Sequence, residues 1–327
     1  MIQLLPIAIA ALFLFSLSVP VSANDAVSDD LREFIDEMHR DYEFDPDQLR
    51  KLLAKAEVKQ SILDAISRPA ERVVPWHEYR QQFTTERRIR EGVDFRNAHK
   101  DRLVAIGDAD LANAVVGILG VETFYGRITG KFRVIDALTT LAFHYPPRAE
   151  FFRDELRQFL LLTREEAVDP LTALGSYAGA MGSPQFIASS YRKYSVDADG
   201  DGRRDLWSNW DDVIGSVAAY LRAFGWQAGG PVVVPATLTD GDMSRFNMGK
   251  IELNETVQSL RDKGVKFETT APADAPAMLI VAAGKEGPEY RVGFSNFYTI
   301  TRYNRSSMYS MAVYDLGQAV AATETSP

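Results

Sequence analysis

The chain has 327 residues, 46% hydrophobic and 25% charged, enough for a sizeable core and roughly two domains. A formal charge of −9 with no basic stripe argues against a nucleic-acid binder. There is no cysteine, which excludes disulfides, thiol nucleophiles, cysteine-based zinc sites and a lipid-modified N-terminal cysteine.

Residues 1–23 carry no charged side chain and hold an apolar run ending in Val21, Ser22 and Ala23 before Asn24 and Asp25. This reads as a secretory signal cut after Ala23, because the run between Pro6 and Pro20 is short for a membrane span. The mature chain is therefore expected to be exported, with no stable membrane anchor. Residues 24–75 read as an N-terminal helical region. Leu31, Phe34, Ile35 and Met38 recur at helical spacing, and Asp45-Pro46 caps and opens a second helix with Leu49, Leu52 and Leu53. Pro69 and Pro75 bound a linker, and Trp76 to Phe83 starts the next segment. Glu86-Arg87-Arg88-Ile89-Arg90-Glu91 reads as a solvated helix face.

From 76 to 230 the pattern is almost wholly helical, with helices expected over 108–125, 149–163, 184–194 and 211–224. In the first of these, Leu111, Val115 and Ile118 define an apolar face, and Glu122 continues it four residues on. A carboxyl carried to such a face loses water, which disfavours its charged form and suits a general acid. The plain alternative is a Glu at a fraying helix end paired with Arg127. Gly175 to Phe186 (GSYAGAMGSPQF) combines small residues with Ser176 and Gln185, which suits close approach of a ligand or merely tight packing. In Asp197-Ala198-Asp199-Gly200-Asp201-Gly202-Arg203, Asp at positions 1, 3 and 5 with Gly at 6 matches the start of an EF-hand loop, the Arg203 carbonyl filling position 7. Position 12 is Ser208, so the closing carboxylate must come from Asp211 or Asp212.

Between 231 and 293 short strands are expected at Val232-Val233-Val234, Leu279-Ile280-Val281 and Tyr290-Arg291-Val292, with a helix near 254–263. Asn296 to Leu316 alternates aromatic and polar residues, and 294–327 is read as a C-terminal segment returning to the core. The fold class is thus mainly α with a small α/β insertion. The four histidines show no metal spacing, Phe151-Phe152 reads as core, and Trp207 and Trp210 are expected beside the acidic loop.

Val121-Glu122-Thr123, Tyr145 to Phe152, Gly175 to Phe186, Asp197 to Trp207 and Thr301-Arg302-Tyr303-Asn304 occur in the order seen in lytic murein transglycosylase B. The resemblance to that family runs from about Trp76 to Leu316. It implies a lysozyme-like core over 76–230 that cleaves peptidoglycan glycan strands in the periplasm. It further implies Glu122 as the lone catalytic acid and base, with Ser176, Gln185, Tyr79, Arg148, Tyr220, Tyr303, Asn304 and Tyr309 lining the glycan cleft. Asp197, Asp199, Asp201, the Arg203 carbonyl and Asp212 are implied as ligands of a structural calcium ion, with no cofactor needed for the chemistry. A monomer acting on glycan strands is expected, without nucleic-acid partners. Hydrolytic glycosidases use two carboxylates, whereas the cleft motifs here supply one. That favours a lytic route that closes a 1,6-anhydro ring on the muramic sugar. The competing readings are a hydrolase that recruits Asp136 or Glu150, and an inactive peptidoglycan-binding protein.

Overall fold

The computed structural model describes residues 23–68 and 74–324. The signal segment assigned to 1–23, apart from Ala23, and most of the Pro69–Pro75 linker lie outside the described residues. The chain divides into two compact units, the first ending at Arg50 and the second starting at Lys51. In the first, α1 (Ala23–Tyr42) buries Phe34, Ile35 and Met38, three of the four positions in the predicted stripe. Asp45 then caps α2 (Pro46–Leu53), its Oδ1 accepting the amides of Asp47 and Gln48 at 2.9 Å each.

The second unit opens with α3 (Gln60–Ser67), α4 (Trp76–Phe83), α5 (Glu86–Ala98), α6 (Lys100–Ala105) and α7 (Ala109–Thr123). There follow β1 (Phe132–Arg133), α8 (Val134–His144), α9 (Ala149–Glu165), β2 (Leu174–Gly175), α10 (Ala188–Tyr194) and α11 (Trp210–Ala223). A sheet segment holds β3 (Val233–Leu238), β4 (Glu255–Thr256), α12 (Val257–Asp262), β5 (Val265–Lys266), β6 (Pro276–Ala283) and β7 (Pro288–Phe294). The chain ends with α13 (Ser295–Thr301) and α14 (Ser307–Glu324).

One expectation needs correction. The helix expected over 184–194 begins only at Ala188, because Met181 and Phe186 pair as a short antiparallel bridge and Gln185 takes a left-handed φ of 52°. The alternating segment 296–316 forms α13 and the start of α14. Five successive residues of α14, Tyr309 through Val313, are in the core. A helix enclosed all round has no polar face to set a period. That is the case for α8, buried from Val134 through Phe143.

The sheet is antiparallel in the order β4-β6-β7-β3-β5, with β6 and β7 paired from Ala277↔Phe294 to Ala283↔Pro288. α12 packs Val257 and Leu260 into an apolar cluster with Leu279, Val292 and Phe294. β7 passes directly into α13, and Asn296 stitches that junction to the entry of β3. Its amide nitrogen donates to the carbonyls of Gln227 (2.8 Å) and Gly230 (2.9 Å), while its oxygen accepts from Gln227 N (2.7 Å). The two ends of the sheet segment are thereby pinned together, and the chain returns to the helical core at its point of departure.

There α14 runs antiparallel along α7 at backbone contact. A Cβ on Gly117 would lie 2.1 Å from the Val313 carbonyl oxygen, and one on Gly317 would lie 2.3 Å from that of Asn113. Glycine on both helices removes the side chains that would otherwise hold them apart. Gly117→Ala is therefore expected to cost about 3 kcal/mol, the upper end for overpacking, because a helix backbone cannot yield as a side-chain tip can. Urea denaturation checks this, and an unchanged midpoint would mean that the helices do not meet at Gly117.

Candidate active site

Asp108 starts α7, its Oδ1 accepting the Leu111 amide at 2.9 Å. From Leu111 to Gly120 every residue is buried, and Glu122 is carried in the last turn. The next two residues, Phe124 and Tyr125, both adopt left-handed backbone, φ 52° and 56°. For bulky residues this costs about 1–3 kcal/mol each and persists only where the surroundings hold it. Here the Tyr125 amide donates to Leu119 O (3.0 Å), and the Thr123 hydroxyl accepts from Gly126 N (3.0 Å) while donating to Ser183 O (2.8 Å).

Glu122 keeps a partly open surface, but protein encloses its carboxyl. Burial pushes its pKa up to about 7, against the pull of the Tyr309 hydroxyl, which donates to Oε1 at 2.6 Å and favours the carboxylate. Its place at the negative end of the α7 dipole also disfavours ionisation. Arg127, the partner of the plain reading, pairs instead with Glu91 at 2.5 Å.

Tyr309 is brought in by α14, Tyr79 by α4 and Tyr303 by the turn after α13. Burial raises all three phenols, and the Glu122 charge raises them further. Tyr303 donates to Pro184 O (2.6 Å) and lies 4.9 Å, ring to ring, from Tyr220, whose hydroxyl donates to Arg302 O (2.7 Å). Phe186 packs tilted against both rings at 5.8 and 5.5 Å. The tyrosines Tyr79, Tyr220, Tyr303 and Tyr309 therefore form one set with Glu122.

The other implied cleft residues are differently engaged. The Ser176 hydroxyl accepts the amides of Ala178 (3.3 Å) and Ala180 (3.1 Å), closing the glycine-rich turn. The Gln185 amide donates to Thr129 O and Gly182 O at 3.0 Å each, tying that turn to the loop after α7. Asn304 is exposed between α13 and α14, its carbonyl accepting Ser306 N at 2.7 Å. Arg148 lies 4.2 Å over the ring of Phe151, which is 38% exposed rather than core, while Phe152 is buried. Asp136 is buried and bound to Arg133 by two 2.8 Å bonds and to the Glu57 amide. The solvated-face reading of 86–91 also fails in part. Arg88 is partly buried, donates to Gly120 O at 2.5 Å and lies over the rings of Phe83 and Phe124.

In the acidic loop, carboxylate oxygens of Asp197, Asp199 and Asp212 lie within 4.8 Å of one another. Asp212 is fully buried at the start of α11, its oxygens accepting Ala198 N (2.7 Å) and Asp205 N (2.8 Å), yet burial still raises its pKa. Asp211 turns away to Arg102 at 2.7 Å. Asp201 faces Arg203, accepting its amide at 2.9 Å. Asn209 caps α11 and also donates to Asp199 at 2.8 Å. Trp207 packs on Tyr191 beside this loop, whereas Trp210 packs on Phe95 and His99.

The transglycosylase SLT domain matches residues 26–318. The chain belongs to that family. It is 41% identical over 301 residues to membrane-bound lytic murein transglycosylase B of Escherichia coli K12, spanning 89% of this chain and 82% of that protein. The solved soluble lytic transglycosylase SltB1 of Pseudomonas aeruginosa superposes with a TM-score of 0.86 at 50% identity, covering 90% of this chain and 99% of that one. Escherichia coli lytic transglycosylase Slt35, solved in complex with calcium, gives 0.82 at 40% identity, covering 91% and 94%. The chain is thus a lytic murein transglycosylase with the lysozyme-like SLT fold, mainly helical with some sheet. Among the described residues no helix is long and apolar enough to cross a membrane.

A large open hollow, about 660 Å³, lies instead against β3, β7 and Tyr314 and Asp315 of α14. Its lining contains none of the Glu122 set, so chemistry and not volume marks the site. Thr123, which locks the α7 end, has no role of its own in the sequence motifs. Its signal was a hydroxyl residue directly before Phe124-Tyr125-Gly126, where a helix stops.

Because the folded state holds the Glu122 proton more tightly than the unfolded chain, its contribution to stability is full below about pH 4.5. It is lost as the pH rises to about 7. Glu122→Gln removes that loss. The variant is expected to melt higher than wild type at pH 8, by about 2–3 kcal/mol of stability, with most of the gain gone at pH 4.5. Melting curves at the two pH values check this, and an equal difference at both would contradict it.

Proposed function

We propose that the enzyme cleaves the β-1,4 bond between N-acetylmuramic acid and N-acetylglucosamine, leaving a 1,6-anhydro-muramic end, with Glu122 as acid and then base. The observation that carries this is a carboxyl with a pKa near 7 whose ionisable neighbours are phenols. Near neutrality a large fraction of Glu122 is protonated and can give its proton to the glycosidic oxygen. The muramic N-acetyl group can stabilise the oxocarbenium-like centre. The Glu122 carboxylate, held by Tyr309, then takes the proton of the same sugar's C6 hydroxyl, which attacks C1 and closes the ring. No water is consumed. Because the hydroxyl belongs to the same sugar, the step gains effective molarity of about 10⁵ M or more.

Tyr79, Tyr220 and Tyr303 offer rings for sugar faces, and Ser176, Gln185, Asn304 and Arg148 offer polar groups to hydroxyls, amides and carboxylates. The hydrolase reading needs a second carboxylate. Asp136 is committed to Arg133, and Glu150 is exposed on α9, so the lytic reading is favoured. A binding protein has no use for a carboxyl held protonated by burial. Export to the periplasm, where peptidoglycan lies, follows from the charge-free segment 1–23.

The acidic loop fits a calcium ion. Three carboxylates this close repel one another, and Arg102, whose charge Asp212 also feels, is paired with Asp211. Asp197, Asp199, Asp201, Asp212 and the Arg203 carbonyl would hold the ion, which supplies charge neutralisation and not catalysis. Calcium is expected to raise the melting temperature, and EGTA to lower it. Asp212→Asn should abolish the response, and a melting temperature indifferent to EGTA would remove the ion from the account.

Digestion of purified sacculi, read by mass spectrometry, tests the chemistry. Wild type is expected to release anhydro ends, and Glu122→Gln to lose about three orders of magnitude or more in rate. Reducing muramic ends alone would refute ring closure, and full activity in the variant would refute Glu122. The alkaline limb of the rate profile should fall with a midpoint near 7 and move upward in Tyr309→Phe, which loses the donor favouring the carboxylate.

A further inference from the structure

Thr123 is fully buried, and its hydroxyl has two acceptors within reach. One is the helical partner of a Thr in this position, Leu119 O at 3.4 Å, and the other is Ser183 O at 2.8 Å. The shorter bond leaves the helix. The same oxygen accepts Gly126 N, so one side chain fixes both the turn that ends α7 and the loop packed against it. That loop is seated at backbone level: Ser183 N donates to Leu206 O (2.9 Å), and a Cβ on Gly182, at φ 64°, would lie 2.2 Å from that oxygen. Asp205, the residue before Leu206, donates its amide to Asp212 at 2.8 Å. The next residue of the loop, Pro184, accepts the Tyr303 hydroxyl. Gly182-Ser183-Pro184 therefore grips the catalytic helix through Thr123 and the tyrosine set through Tyr303, while resting on the segment that follows the acidic loop.

We infer that Thr123 is the positioning residue for Glu122, holding the last turn of α7 on the Ser183 carbonyl so that the carboxyl stays in its enclosure beside Tyr309. The inference rests on the lytic reading, in which Glu122 is the acid and base. The ionisable groups facing Glu122 are Tyr309 from α14, Tyr303 from the turn after α13 and Tyr79 from α4, all uncharged near neutrality. A change in Glu122 titration on altering Thr123 thus reports the placement of the carboxyl, not a new neighbouring charge.

The test compares Thr123→Val, which keeps the shape and loses the hydroxyl, with Thr123→Ser, which restores it, and runs Thr123→Ala beside them in case the valine variant does not fold. The Glu122 carboxyl is titrated by carbon-13 NMR in the free protein, and kcat and KM are measured on glycan strands. Thr123→Val is expected to move the midpoint by about half a unit or more and to lower kcat about tenfold or more with KM nearly unchanged. Thr123→Ser should recover both. An unmoved midpoint with kcat within about twofold of wild type would overturn the inference. So would a loss of kcat that only follows the unfolded fraction and that serine does not rescue. The titration needs no substrate, so it decides on Thr123 even if wild type releases no anhydro ends and the lytic reading falls.

Discussion

The backbone contact between α7 and α14 is the constraint on which the site depends. Gly117 sits against the Val313 carbonyl and Gly317 against that of Asn113. With the helices antiparallel and this close, the last turn of α7 meets the first turn of α14, and Glu122 meets Tyr309 at 2.6 Å. A side chain at either glycine would open that spacing, and the hydroxyl would no longer reach the carboxyl. Asn296, by pinning the two ends of the sheet segment, returns the chain to the core where α14 can make this contact. A local steric allowance at two residues thus sets a long-range hydrogen bond between residues far apart in sequence.

Two opposing effects then set the proton affinity of Glu122. Enclosure favours the neutral acid, and the Tyr309 donor favours the carboxylate. Neither alone would serve the proposed reaction, in which this group releases a proton and recovers one. Burial without a donor would hold the proton too tightly, and a donor without burial would leave a carboxylate near the ordinary value. The balance costs stability, since a buried acid resists ionising on folding. The left-handed Phe124 and Tyr125 add local strain directly beside the same residue. Functional sites commonly concentrate such costs, and here the burial of α7 from Leu111 to Gly120 and of α14 from Tyr309 to Val313 offsets them.

The acidic loop and the tyrosine set around Glu122 share one scaffold. α11 begins with Asp212 in the carboxylate cluster and carries Tyr220 against Tyr303 two turns later. The segment after the loop supports the Gly182–Pro184 turn through Leu206. Order in the loop therefore bears on the tyrosine set by direct hydrogen bonds and packing.

Much was legible in the residues themselves. The carboxyl on an apolar helix face, the Asp-x-Asp-x-Asp-Gly run and the change to strands after residue 230 follow from local spacing and side-chain chemistry, and local rules are what a linear sequence expresses. The sequence left Asp211 and Asp212 open as loop closers, and only folding turns one to Arg102 and buries the other in the cluster. No period marks α8, because a helix enclosed on every face carries no polar stripe. Nor could the sequence show that Tyr309 reaches Glu122 or that Thr123 prefers Ser183 to its own helix. Those choices belong to the tertiary structure, since each depends on how closely segments distant in the chain approach, a distance fixed by packing rather than by neighbouring residues.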